Sequence, residues 1–194
     1  FPSDSYRQLI NRLLASVDRA PRFTGKAQSG GRLNLHRALT TTSSAPFNDR
    51  FSDRPRLTGD NLRLHASNQG ATAESGEPVH AGVATTRSIW WEWVPEHSGA
   101  VTIDTAGSGQ DTVLAVYTTS TGTAPNALAD LTSVTASDND GNLSTSRVAF
   151  SVVAGSVYEI AVSSPGGGGL VALTVNSRPN NDPFSGAVTD RKST

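Results

Sequence analysis

The stretch from Ser88 to Ser120 constrains the fold more than any other part of the chain. It begins with the residues I-W-W-E-W-V, in which Ile89, Trp91 and Trp93 alternate with side chains of the opposite face. Such a period of two is typical of a β-strand. Two more alternating runs follow after short polar turns, over residues 101–105 and 111–117. Because turns this short exclude the crossover that neighbouring parallel strands need, the sequence predicts three antiparallel strands arranged as a meander.

Short alternating runs separated by turn residues continue through the rest of this part of the chain. Further strands are predicted over residues 62–66, 131–136, 148–152, 158–162 and 171–175. Roughly eight short strands with regular turns are the pattern of a two-sheet all-β domain. The sequence therefore predicts a mainly β fold, an antiparallel β-sandwich of the jelly-roll type, over residues 48–177.

The first forty residues have a different pattern. Residues 4–17 carry apolar side chains at helical spacing, and Asp4 or Ser5 can cap a helix there. A short second helix is predicted over residues 32–39. Its expected apolar contacts are Leu33, Leu35 and Leu39. A lone amphipathic helix of this length is marginal in water, so its apolar stripe predicts a packing partner upstream in the intact protein.

Charge divides the chain at the same place. Residues 1–42 hold seven basic and two acidic side chains, whereas residues 48–177 hold six basic and thirteen acidic ones. The uncharged, small residues 41–47 between them are expected to be a linker. The basic charges are spread and lack interleaved aromatic residues, so no nucleic-acid partner is expected. No run of 18 apolar residues is present, so no membrane span is expected either.

The helical part ends in the string S-G-G-R-L-N-L-H-R-A-L, over residues 29–39. With the preceding helix and its S-V-D turn, this order resembles the last helices of the catalytic domain of subtilisin-like serine peptidases. Those helices commonly close on Gly-Gly-Arg-Leu-Asn-x-x-x-Ala-Leu. The resemblance covers residues 1–40 and implies a secreted serine endopeptidase as the parent protein. The family's Gly-Thr-Ser-x-Ala-x-Pro motif is absent here, so the catalytic triad is expected outside this chain.

The second part resembles the bacterial pre-peptidase C-terminal domain, a sandwich attached to many secreted proteases. The resemblance spans residues 48–176 and rests on several blocks in the same order, among them N-D-R-F, S-I-W-W-E-W, S-G-A-V-T-I-D-T, Q-D-T-V-L-A-V-Y-T and A-S-D-N-D-G. It implies an accessory module, secreted or at the cell surface, that stabilises, targets or adheres. The expected partners are the parent catalytic domain and a protein substrate or extracellular polymer. The alternative is an adhesive or carbohydrate-binding module of a non-protease surface protein.

Residues 178–194 are expected to be a linker and the start of a second copy. The residues N-D-P-F at 181–184 repeat N-D-R-F at 48–51, and such self-similarity is the mark of a repeated domain. The chain begins with Phe rather than Met, so we expect it to be part of a longer protein.

The acidic loops raise the question of calcium, which takes six to eight oxygen ligands. Related sandwiches of bacterial collagenases bind calcium through a Glu-x-Glu-x-Asn-Asp segment. Asn48 and Asp49 match the end of that segment, whereas Ser44 and Pro46 stand at its glutamate positions. The resemblance thus implies a calcium ion held by Asn48 and Asp49 with recruitment of Glu74 or Glu77. The alternative is that these are ordinary turn carboxylates.

Trp90 is the other candidate site residue. It points away from the face shared by Ile89, Trp91 and Trp93, which is expected to form the core. An exposed Trp90 would stack on a ligand, whereas a covered one would pack under a loop.

Overall fold

The computed structural model describes residues 5–23, 29, 31–40 and 45–179. The segment proposed as the start of a second copy, residues 181–184, lies outside them. The helical part contains helix α1 (Tyr6–Ala15), a hairpin of strands β1 (Val17–Arg19) and β2 (Gly31–Leu33), and helix α2 (Leu35–Thr40). Ser5 caps α1 through a capping box with Gln8, in which each side chain bonds the other residue's backbone amide. The predicted cap at Ser5 is confirmed. Helix α1 is shorter than predicted because Val17 begins strand β1.

The apolar side chains of this part do not pack as predicted. Leu33, Leu35 and Leu39 are 56%, 62% and 64% exposed, so they are not the contacts of a second helix. Helix α1 instead buries the polar residues Asn11 and Arg12. The Asn11 amide donates a hydrogen bond of 3.0 Å to the carbonyl of Gln69 in the second part. Polar contacts therefore join the helical part to the sandwich, and the leucines face outward.

Nine strands among the described residues form the two sheets of a β-sandwich, as predicted. Their bounds are β3 (Arg56–Thr58), β4 (Asn61–Ser67), β5 (Ile89–Val94), β6 (Gly99–Asp104), β7 (Val113–Thr118), β8 (Thr132–Ser137), β9 (Arg147–Val152), β10 (Tyr158–Ser163) and β11 (Leu170–Pro179). The five-stranded sheet has the order β3-β5-β10-β7-β8, and the four-stranded sheet has the order β4-β11-β6-β9. Neighbouring strands are antiparallel except for β3 and β5, which are parallel.

The predicted meander of β5, β6 and β7 is wrong. Strands β5 and β7 both pair with β10 in the five-stranded sheet, whereas β6 lies between β11 and β9 in the other sheet. The two turns that join these strands therefore cross from one sheet to the other. Packed sheets lie only about 10 Å apart, so a few residues suffice for such a crossing just as they do for a hairpin.

The sandwich core lies between the inner faces of the two sheets. It is a continuous apolar cluster that includes Ile89, Trp91, Trp93, Ile103, Leu114, Ile160, Leu173 and Val175. Strands β5, β7 and β10 are buried on both faces. Their outer face packs in a second apolar cluster, formed by Phe51, Trp90, Ala115, Tyr117 and Ala161. Loops cover one sheet of this sandwich on its outer side.

Candidate functional site

Trp90 lies on the outer face of the five-stranded sheet, which we call the covered face. Its side chain is fully buried. The Phe51 ring meets it edge-on at 5.1 Å between ring centroids, and the His80 and Tyr117 rings lie at 5.5 and 6.0 Å. The prediction of Trp90 as a stacking platform for a ligand is therefore wrong. Phe51, from the segment before strand β3, and His80, from the loop between β4 and β5, lie over the indole and exclude solvent.

A buried polar chain lies beside Trp90. The His80 Nδ1 lies 2.7 Å from the Tyr117 hydroxyl, and its Nε2 lies 2.9 Å from Glu77 Oε1. Burial raises the pKa of Glu77, but hydrogen bonds from His80, Ser88 and the Glu74 amide outweigh it, so its pKa lies below the ordinary 4.5. Burial, with the Glu77 charge, raises the pKa of Tyr117 to about 12. Both imidazole nitrogens of His80 are thus engaged by side chains of the covered face.

Three of the four predicted calcium ligands join the loops of the covered face. The Asp49 carboxylate accepts hydrogen bonds from the Thr72 amide at 2.6 Å and the Thr72 hydroxyl at 3.1 Å. The Glu74 Oε2 accepts the Phe51 amide at 2.5 Å. The Glu77 Oε2 accepts the Glu74 amide at 2.8 Å. Burial raises the pKa of Asp49, and the bonds from Thr72 partly offset that effect. These carboxylates fasten the segment around residue 50 to the segment at residues 72–77.

The fourth residue of the set is Asn48, whose side chain is fully buried. Its Nδ2 donates to the Trp90 carbonyl at 3.1 Å, while its Oδ1 has no hydrogen-bond partner among the described residues. An unsatisfied buried oxygen is unusual, and Asn48 Oδ1 is the one buried side-chain oxygen of these four residues without a hydrogen-bond partner among the described residues. The carboxylates of Asp49, Glu74 and Glu77 do not gather as a three-ligand cluster. The described part of the chain has one such cluster, formed by Asp60, Glu96 and His97.

Sequence reasoning did not single out that cluster. Asp60 lies in the turn after β3, and His97 lies in the turn after β5, so only the tertiary fold brings them together. The His97 Nδ1 lies 2.5 Å from Asp60 Oδ2, and the Glu96 amide donates to Asp60 Oδ1 at 2.9 Å. Partial burial raises the pKa of Asp60, but the bonds from His97 and Glu96 leave it below 3.8. The arrangement fixes the two turns at this end of the sandwich.

The covered face also holds a group of buried charges that the sequence did not predict. Glu92 on β5 and Glu159 on β10 are directly paired across the strands. The Arg54 Nε lies 2.9 Å from Glu159 Oε2, its Nη2 lies 3.7 Å from Glu92 Oε2, and Arg56 Nη1 lies 3.3 Å from Glu92 Oε1. Burial raises the pKa of Glu159 from 4.5 to about 8, and the Glu92 charge adds to this against the attraction of Arg54. The surroundings of Glu159 therefore disfavour its charged form.

The outer face of the four-stranded sheet differs from the covered face, and we call it the open face. Its outward side chains are exposed or half-buried, apart from the small Ala172 and Ser67 near the end of the sheet. The strand register aligns them in three rows across the strands: Arg178, Ala100 and Ser151; Asn61, Asn176, Thr102 and Ala149; and Arg63, Thr174, Asp104 and Arg147. A groove of about 790 Å³ follows this face. None of the side chains in these three rows is aromatic; His65, also exposed on β4, lies beyond the third row opposite Ala172.

The solved structures that are similar to the chain include a collagenase domain and two gingipain domains. One is the pre-peptidase C-terminal domain of a collagenase from Bacillus anthracis, which covers 63% of this chain and 98% of its own, at 15% identity and a TM-score of 0.39. The others are the K3 and K1 cleaved adhesin domains of Lys-gingipain from Porphyromonas gingivalis. The K3 domain covers 59% of this chain and 74% of its own, at 12% identity and a TM-score of 0.30. The K1 domain covers 70% and 80%, at 15% identity and a TM-score of 0.27.

Neither a family model nor a curated protein matches the chain. The assignment as a mainly β sandwich rests on the strand order and pairing of the chain itself. Among the described residues, no helix is long and apolar enough to cross a bilayer.

Proposed function

We propose that this chain is the C-terminal accessory region of a secreted subtilisin-like serine endopeptidase, and that its sandwich binds the protein substrate without cleaving it. The observation that carries the binding role is the open face. One sheet of the sandwich is covered on its outer side by loops and a second apolar cluster, whereas the other presents three rows of small and polar side chains to solvent. This polar face is open to solvent and can therefore contact a protein ligand, whereas the covered face cannot.

Two observations support the peptidase as the parent protein. The Gly-Gly-Arg-Leu-Asn string at residues 30–34 resembles the end of the family's catalytic domain. The exposed leucines of β2 and α2, together with Leu9 of α1, form apolar surface that such a domain would cover. On this proposal the parent supplies the catalytic triad, and the helical part connects it to the sandwich.

The gene region upstream of residue 1 tests the parentage. We expect it to encode a Gly-Thr-Ser-x-Ala-x-Pro string, preceded by the aspartate and histidine motifs of the family. Without these motifs the chain is better interpreted as an adhesive module of a non-protease surface protein. A carbohydrate ligand is not favoured in either case, because the open face lacks the aromatic platform on which sugar rings stack.

Co-sedimentation tests the binding role. The full chain is incubated with insoluble protein fibres, with insoluble polysaccharide, and with casein to measure peptide release. We expect retention on protein fibres, no retention on polysaccharide and no hydrolysis of casein. Hydrolysis of casein that stays with the folded chain through repeated purification would contradict the accessory role.

Calcium binding remains a proposal of its own, with Asn48 and Asp49 as the residues that would hold the ion. The Asn48 Oδ1, which has no hydrogen-bond partner among the described residues, fits this role. Both carboxylate oxygens of Asp49 and of Glu77 already have a hydrogen-bond partner, which an ion would have to share or displace. A bound ion would supply positive charge beside the buried Asp49 carboxylate. Since a ligand of the folded state raises the melting temperature, we expect a higher midpoint with calcium than with chelator. Equal midpoints would refute the proposal.

A further inference from the structure

We propose that the open face binds an extended acidic segment of polypeptide, whose carboxylates pair with Arg63, Arg147 and Arg178. The proposal names the chemistry of the ligand for the adhesive function proposed above, and it rests on that function.

The charge of the open face is opposite to that of the domain that carries it. Residues 48–177 have an excess of acidic side chains, yet of their thirteen carboxylates only Asp104 lies in the three rows. Three arginines lie in the same rows. The face is therefore basic on an otherwise acidic domain, and such a local potential attracts an anionic partner.

Among the described residues, these three arginines also lack a salt bridge like those of Arg54 and Arg56. Arg54 and Arg56 pair with Glu92 and Glu159 on the covered face. Within residues 45–179, Arg63, Arg147 and Arg178 form no comparable ion pair. A guanidinium group presents a planar fork of donors that matches a carboxylate in two parallel hydrogen bonds. Clusters of free arginines are a recurring means of recognising acidic peptide motifs.

The spacing of the rows suits an extended chain. Arg63 on β4 and Arg147 on β9 share one row and are separated by three strand spacings, about 14 Å. An extended polypeptide advances about 3.4 Å per residue, so side chains four residues apart on one face are also separated by about 14 Å. Two acidic residues at that spacing would meet both arginines.

The neighbouring row supplies hydrogen-bond donors and acceptors for a peptide backbone. Asn61, Asn176 and Thr102 lie side by side across three strands, and their amide and hydroxyl groups both donate and accept hydrogen bonds. Ala149 continues this row on β9, and Ala100 lies in the adjacent row. Because both side chains are small, they do not obstruct the groove. An anionic polysaccharide offers carboxylates or sulfates as well, but none of the three rows holds a ring on which its sugars could stack.

The test measures binding of the full chain to poly-L-glutamate and to heparin by calorimetry, at low and at physiological salt. The main variant is R63Q/R147Q/R178Q. The control R22Q/R50Q/R87Q removes the same charge away from the open face. A149W keeps every charge and fills the groove, and D104N removes the one carboxylate of the rows. Urea unfolding of each variant establishes that it is folded before its affinity is compared.

We expect poly-glutamate binding that weakens with salt, since exposed ion pairs are screened. The main variant should lose about tenfold or more in affinity, while the control stays within about twofold of the wild type. A149W should bind more weakly and D104N more tightly than the wild type. This pattern supports the proposal.

Four results would overturn it. Loss in the control equal to that in the main variant would mean that net charge alone is recognised. Heparin binding that depends on the three arginines, without poly-glutamate binding, would replace the polypeptide by a polysaccharide. If the main variant is retained on protein fibres as well as the wild type, the chain is adhesive but binds through another surface. If the wild type is not retained on any protein, the adhesive function itself is refuted.

Discussion

The buried carboxylate of Glu159 leads to a specific prediction about pH. This side chain is fully buried opposite Glu92 on the neighbouring strand, and its Oε1 has no hydrogen-bond partner among the described residues. Arg54 is its one close cation, and it also donates to the carbonyls of Phe51 and Pro125. Burial raises the pKa of Glu159 from 4.5 to about 8 in the folded protein. The folded chain thus keeps a proton that the unfolded chain releases at neutral pH.

The sign of the effect follows from this difference in proton binding. A raised folded-state pKa gives a stabilising contribution that is complete below about pH 4.5 and is lost as the pH rises through about 8. Each unit of pKa difference corresponds to about 1.4 kcal/mol, so the loss in unfolding free energy between these limits is at most about 5 kcal/mol. Such a change is a large part of the 5–15 kcal/mol that is typical of a folded domain, roughly a third of it or more.

The substitution Glu159→Gln keeps the shape of the side chain and removes its titration. We expect the wild type to lose unfolding free energy steadily from pH 5 to pH 9, and the Gln variant to lose much less. At pH 9 the variant should be the more stable of the two. Urea unfolding at each pH, followed by the fluorescence of the three buried tryptophans, gives the free energies.

Glu96→Gln serves as the control, because Glu96 is an exposed residue of the turn after β5. Its pH profile should follow that of the wild type. The difference between wild type and Glu159→Gln isolates the buried group from the other titrating side chains. If the two profiles run parallel between pH 5 and pH 8, Glu159 is ionised in the folded protein, and the attraction of Arg54 exceeds the cost of burial.

Three further substitutions test the packing of the sandwich by urea unfolding. Trp90→Ala should lower the unfolding free energy by about 3–5 kcal/mol because it leaves a cavity beneath the loops. Val153→Ala, at an exposed site, should change it little. A small loss for Trp90→Ala would mean that the loops collapse onto the sheet. Gly168→Ala places a Cβ 2.6 Å from both the Asn68 carbonyl oxygen and Gln69 Cα, and should cost about 1–3 kcal/mol. Gly166→Ala meets no atom within 4 Å and is its control, so equal stability of the two variants would refute the close approach. Tyr117→Phe leaves the buried His80 Nδ1 without its hydroxyl partner and should lower the unfolding free energy by about 1–3 kcal/mol. The same change at the exposed Tyr6 should have no effect. If Tyr117→Phe is as stable as the wild type, His80 finds another partner.

Local patterns in the sequence were sufficient to identify the elements. Alternation of period two located the strands from β4 to β11, and Ser5 was one of the two residues expected to cap the start of α1. These features depend on neighbours within a few residues, which is why they can be read along the chain. The alternation of Ile89, Trp91 and Trp93 also identified the side of β5 that faces the core.

The sequence alone did not determine which strands are neighbours. The same short turn fits a hairpin and a crossing between sheets, so β6 was assigned to the wrong sheet. It also did not determine whether Trp90 is covered, because the cover comes from Phe51 and His80 of distant loops. The Glu92–Glu159 pair and the rows of the open face arise from strand register, in which residues 43 to 115 positions apart become neighbours. Periodicity thus gave each strand its two faces, whereas only the tertiary structure decided which of those faces is buried and which remains open to a ligand, because burial depends on parts of the chain that are far apart in sequence.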